Sequence, residues 1–93
     1  MKAKVKFFAH LTDLVGKKEI HEIDCEEGAT ISKLLDWLFL DLKIKDALFD
    51  KEQKIKDNIT ILKNGREIKF LDGLETHISS GDEIAFFPLV VGG

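Results

Sequence analysis

The hydrophobic period changes at Gly28-Ala29-Thr30, and that change limits the folds open to the chain. Before it, Ala3, Val5, Phe7 and Ala9 alternate with Lys2, Lys4, Lys6 and Phe8, the period of two that marks a half-buried strand. After it, Ile31, Leu34, Leu35, Leu38 and Leu42 recur at helical spacing. Thr30 stands where an N-cap hydroxyl accepts from first-turn amides. A stripe written for one period cannot bury its apolar face in the other, so an extended N-terminal part must give way to a helix here.

The flanking segments complete the pattern. Residues 10–16 form a connection in which Leu11, Leu14 and Val15 pack a short turn. Gly16, Lys17 and Lys18 supply a reversal, and residues 19–24 alternate again with Ile20 and Ile23 toward the core. Two strands joined this way make a hairpin. Trp37, Phe39 and Leu40 widen the helical stripe, so the helix is expected to be covered more than a surface helix usually is. Residues 46–50 suggest a further helical turn, and 51–57 an exposed polar loop.

Beyond that loop, residues 59–63 are rich in branched side chains, and Asn64-Gly65 is a strong hairpin signal because both central turn residues need positive φ. Residues 66–70 return as a strand, 71–74 turn once, and 79–82 turn again. The last strand is expected over 83–90, with Ile84 and Phe86 inward and Ala85 and Phe87 outward. This order predicts an α+β fold, a mixed sheet of about five strands with one main helix packed on one face. The β-grasp arrangement fits it, and makes the first and last strands neighbours. The reading is one domain over 1–93 with a flexible tail from about 88.

Composition narrows the function. With 93 residues, 44% hydrophobic and 33% charged, the chain can fill one core and is no disordered tail. The net charge of −3 and scattered lysines argue against the dense basic stripe that nucleic acid requires. Residues 31–42 are too short and too charged to span a bilayer, and the N-terminal stretch lacks the apolar run of a secretory signal. The expectation is a cytoplasmic protein with no membrane or direct nucleic-acid partner.

Side-chain chemistry is sparse. A single cysteine, Cys25, excludes an internal disulfide, and its neighbours Asp24, Glu26 and Glu27 should raise its pKa, as expected of an inert thiol at a strand end. His10, His21 and His77 stand in separate segments, and no nucleophile, phosphate-loop or metal motif is present, so no metal is expected. Attention therefore falls on the sequence Phe86-Phe87-Pro88-Leu89-Val90-Val91-Gly92-Gly93. Two successive glycines at a chosen position arise by chance about once in 200. Without Cβ atoms, Gly92 and Gly93 can thread a narrow channel, and six residues from Pro88 reach at most about 20 Å.

The combination of Val5-Lys6-Phe7-Phe8-Ala9, Leu14-Val15-Gly16, Asn64-Gly65 and above all Gly81 to Gly93 resembles the MoaD/ThiS family of ubiquitin-like sulfur carriers. Within it the pattern is most similar to the small subunit of molybdopterin synthase, MoaD. That resemblance implies that an adenylyltransferase of the MoeB or ubiquitin-activating kind uses ATP to activate the Gly93 carboxylate. A sulfur donor protein then converts the acyl-adenylate to a thiocarboxylate. The tail, through Val90, Val91 and Gly92, would enter a MoaE-like large subunit, where the sulfur goes to cyclic pyranopterin monophosphate for the molybdenum or tungsten cofactor. On this view the chain is a co-substrate and non-catalytic subunit with no bound cofactor, its only covalent cargo the sulfur on Gly93.

Phe8 and Phe87, projecting from neighbouring strands opposite the core, together with Pro88 and Leu89, would form the docking surface beside the tail. Thr12, Glu67 and Leu89 depart from the family pattern, which bears on the identity of the large subunit. Two other functions stay open on the sequence. The activated tail could serve tRNA thiolation, thiazole synthesis or lysine modification, or the domain could be a β-grasp binding module whose Gly-Gly is incidental.

Overall fold

The computed structural model describes residues 1–8, 11, 20–40 and 42–88. Strands β1 (Lys2–Phe7) and β2 (Ile20–Asp24) precede helices α1 (Ile31–Leu38) and α2 (Leu42–Leu48). Strands β3 (Ile59–Lys63), β4 (Arg66–Glu67) and β5 (Glu83–Pro88) follow. They form one five-stranded sheet in the order β2-β1-β5-β3-β4. β1 and β5 run parallel, with Val5 opposite Ile84 and Phe7 opposite Phe86, while the other pairs are antiparallel. The sheet is therefore mixed, with first and last strands adjacent at its centre.

Strand alternation assigns the faces. Ala3, Val5 and Phe7 of β1, Ile84 and Phe86 of β5, and Ile59 and Ile61 of β3 are buried, and they share one core with Ile31, Leu34, Leu35 and Leu38 of α1. The Phe7 and Phe86 rings stack within this layer, centroids 5.4 Å apart. Leu11, the described residue of the expected 10–16 connection, is fully buried, as expected of a turn packed on the core. The expectations for Ala9, His10, Leu14, Val15, Gly16, Lys17 and Lys18 lie outside the described residues.

α1 begins where the period changes. Thr30 has extended backbone, and its hydroxyl accepts from the Lys33 amide at 3.3 Å. The helix is less covered than the widened stripe suggested: Trp37 is 55% exposed and Leu40 78%, although Phe39 is half-buried against the core. At about 100° per residue, Trp37 lies roughly 60° outside the arc spanned by Ile31, Leu34, Leu35 and Leu38. Leu40 falls beyond the end of the helix. Phe39 instead packs edge-on to Phe49 at 5.0 Å, joining α1 to the end of α2.

Two further expectations change. α2 starts at Leu42, before the expected turn at 46–50. The 51–57 segment is largely exposed, as expected, and is tied down locally: the Asp50 carboxylate accepts from the amides of Glu52 and Lys54, and Phe49 bridges Ile55. The return strand after the hairpin is only two residues, because the chain leaves the sheet in a 3-10 turn at Ile68–Phe70 that turns Ile68 into the core. A second such turn spans Gly73–Glu75. At the hairpin itself Asn64 and Gly65 have φ of 50° and 84°, the positive pair the sequence called for.

Candidate functional site

Parity along the strands puts Lys4, Lys6 and Phe8 on the face away from the helices, with Ala85 and Phe87 of β5 and Thr60 and Leu62 of β3 beside them. Phe8 lies one step past β1, where its amide donates to the Phe86 carbonyl at 3.2 Å and prolongs the ladder. Its ring stacks on Phe87 with centroids 4.4 Å apart and planes 18° from parallel. The Lys6 ammonium lies 5.3 Å from the Phe8 centroid and 3.8 Å from the Glu83 carboxylate, so one lysine closes the lower side of the aromatic pair. Phe87 keeps 39% of its surface in solvent.

Ala85 was expected outward and does lie on this face, yet it is buried. β5 is a central strand, and the small methyl is flanked by its cross-strand partners Lys6 and Leu62. Pro88 closes the strand opposite Ile59 and is buried; lacking an N–H, it suits a strand end better than a strand centre. Leu62 and Thr60 belong to the surface around the aromatic pair and escaped the sequence reading. Their parity within β3, opposite to that of Ile59 and Ile61, was the available signal, but it points to Phe87 only once the β3–β5 register is known.

The positions Leu89, Val90, Val91, Gly92 and Gly93 lie outside the described residues. The described structure brings β5 to Pro88, five residues before Gly93, next to the Phe8–Phe87 stack. Five extended residues reach at most about 18 Å.

Cys25, the N-terminus and His77 are occupied structurally. Burial raises the Cys25 thiol pKa from its ordinary 9.0, with Asp24 acting in the same direction and the N-terminal ammonium in part against it. The N-terminus and Cys25 exchange two backbone hydrogen bonds, Cys25 N–H to the Met1 carbonyl at 2.8 Å and the Met1 ammonium to the Cys25 carbonyl at 3.0 Å. His77 Nδ1 is 3.2 Å from the Gly28 carbonyl, and its backbone bridges Thr30. Among the described residues no cluster of three His, Cys, Asp or Glu side chains could hold a metal ion. Nor is any helix among them long and apolar enough to cross a membrane.

Comparison with known proteins agrees with this geometry. Over its whole length the chain is 33% identical to the whole of small archaeal modifier protein 3 from Haloferax volcanii. Its fold superimposes on the crystal structure of SAMP1 from the same organism with a TM-score of 0.86 at 29% identity, covering all of both chains. It also matches a chain in the complex of subunits 1 and 2 of molybdopterin-converting factor from Helicobacter pylori, with a TM-score of 0.68 at 25% identity and full coverage of both. The ThiS family model matches residues 5–93, from the middle of β1 through Gly93. With a β-grasp sheet, a central parallel β1–β5 pair and a match that runs through the terminal glycines, the chain belongs to the ThiS family of ubiquitin-like sulfur carriers and modifiers.

Proposed function

We propose that this protein carries sulfur as a thiocarboxylate on Gly93 and delivers it to the pterin precursor of the molybdenum or tungsten cofactor. The observation that carries the reading is the placement of an apolar aromatic pair, Phe8 and Phe87, on the solvent face of the strand that leads to Gly92-Gly93. An exposed apolar patch beside a side-chain-free tail suits a protein that docks by its sheet and inserts its end.

The chemistry follows from the poor electrophilicity of a carboxylate. A Gly93 carboxylate oxygen attacks the α-phosphorus of ATP and pyrophosphate leaves, producing an acyl-adenylate. Hydrosulfide delivered by a donor protein attacks the acyl carbon, AMP leaves with the bonding pair, and loss of the S–H proton leaves the thiocarboxylate, so one oxygen is exchanged for sulfur at Gly93. The partners hold the ATP and the acid-base groups, while this chain supplies the acyl carbon and the docking surface. The H. pylori relative is found with subunit 2 of its converting factor, which supports a large subunit as the acceptor-bearing partner here.

A second reading is favoured by the similarity to the small archaeal modifier proteins, in which the activated Gly93 is passed to lysine side chains of other proteins. Both readings share the acyl-adenylate and separate at the next nucleophile, sulfur or amine.

Intact mass measurement after incubation with ATP, the host adenylyltransferase and a sulfide source tests the shared step. The expected result is replacement of one oxygen by sulfur, localised to Gly93. An unchanged mass beside a demonstrably active adenylyltransferase would overturn the carrier reading. Mass addition to lysines of host proteins, with no sulfur on Gly93, would favour the modifier.

A further inference from the structure

We propose that β2 is a docking edge for an extended peptide strand in which lysines alternate with branched apolar residues, at the sheet edge beyond β1 rather than at the Phe8–Phe87 pair. β2 is the outermost strand of the sheet beside β1. The two hydrogen bonds between Met1 and Cys25 make them a bonded pair of the antiparallel ladder. Bonded and non-bonded pairs alternate, so Ala3–Ile23 is bonded, whereas Lys2–Asp24 and Lys4–Glu22 are not. The backbone N–H and C=O of Glu22 and Asp24 therefore point out of the sheet, and among the described residues no backbone or side-chain group pairs with them.

A strand adding there would find a groove on its inner side. Ile23, Cys25, Ala29, Leu34 and Trp37, with Asp24, Glu26 and Lys33 beside them, line a space of about 210 Å³ between β2 and α1. Trp37, more than half exposed, forms one wall. Side chains at alternate positions of the added strand, in phase with Ile23, would enter this groove, which asks for branched apolar residues.

The outer side of the same strand selects charge. Its nearest side-chain neighbours would be the exposed Glu22 and Asp24. β1 already indicates what these carboxylates accept on their other flank, since Lys4 and Lys2 sit directly opposite them in a Lys-Ala-Lys-Val-Lys strand. Opposite charges in directly facing positions are favourable and like charges are not. A second copy of β2 would set carboxylate against carboxylate, so the edge rejects its own kind and accepts a lysine-bearing strand.

The full-length protein contains one tryptophan, Trp37, so its fluorescence reports the groove directly. The probes are capped VKVKVKV and VEVEVEV peptides, read by Trp37 emission and by hydrogen exchange of the Glu22 and Asp24 amides in isotope-labelled protein. VKVKVKV is expected to give a saturable emission change and slower exchange at both amides. VEVEVEV, and VKVKVKV with the E22K/D24K variant, are expected to bind at least about tenfold more weakly. Both substituted side chains are exposed, and the two peptides on the unaltered protein test the charge selection even without the variant. Equal binding of the two peptides would overturn the proposal. So would perturbation confined to Phe8 and Phe87, or no saturable change.

Discussion

Asp82 holds together two turns at the end of the sheet remote from Pro88. Its carboxylate accepts from the Ser79 amide at 2.7 Å and from Asn64 Nδ2 at 2.9 Å, with the Lys63 ammonium 3.5 Å away. Asn64 in turn accepts from the Glu83 amide at 2.9 Å, so the hairpin turn is fastened to the start of β5. Burial by itself would raise the Asp82 pKa, but the Ser79 and Asn64 hydrogen bonds and the Lys63 charge outweigh it and hold the group below its ordinary 3.8. A carboxyl lowered on folding binds its proton more readily in the unfolded chain. Its contribution is therefore full above the ordinary value and is lost as pH falls through the lowered one. Asp82→Asn, which keeps an acceptor of the same shape, should destabilise the protein at neutral pH. The gap from the unaltered protein should narrow as urea titrations are repeated below pH 3.8. A gap that stays constant with pH would assign the loss to geometry rather than charge.

At the scale of elements, α1 depends on its first turn. It has eight residues, below the length at which isolated helices hold in water, so packing and capping must sustain it. Thr30→Ala removes the hydroxyl that caps Lys33 while leaving the backbone bridge to His77 available. A loss of about 1 kcal/mol is expected from chemical denaturation, with the slope on denaturant unchanged. This cap and the Asn64-Gly65 turn were legible in the sequence because each is a local conformational preference that needs no distant partner. The exposure of Trp37 and Leu40 was not, because hydrophobicity alone does not tell which apolar side chains a nearby surface will reach. The short β4 escaped for a related reason: Ile68 is apolar in either a strand or a 3-10 turn, and the demand of the core chose the turn.

Across the whole molecule, the proposed function puts docking and chemistry on different residues, so the two should be separable. No residue after Phe86 belongs to the described core cluster. Deleting Gly92 and Gly93 should leave the unfolding free energy within about 0.5 kcal/mol, as for changes away from packed sites. The same deletion should abolish acyl-adenylate formation. Phe87→Asp should do the reverse, leaving Gly93 chemically intact while weakening binding to the adenylyltransferase about tenfold, a typical loss for a contributing interface aromatic. Calorimetry of the two variants and a binding titration with the activating enzyme distinguish these effects. A Phe87→Asp variant that folds and binds normally would remove the aromatic pair from the docking surface.

The sequence by itself determined the features that rest on local preference and period. Alternating strands, an N-capped helix, a positive-φ hairpin turn and the aromatic residues leading to Gly92-Gly93 are all written as short-range patterns. Even the approach of Phe8 to Phe87 followed, once the element order implied that β1 and β5 are neighbours. Only the tertiary structure decided the registers, and with them which side chains share a surface. The β3–β5 register sets Thr60 opposite Phe87 and Leu62 opposite Ala85, and the β1–β2 register turns the Glu22 and Asp24 backbone outward. A register is a choice among pairings that differ by whole residues over long loops. It is made by the summed burial of both faces, which no single segment of the chain contains.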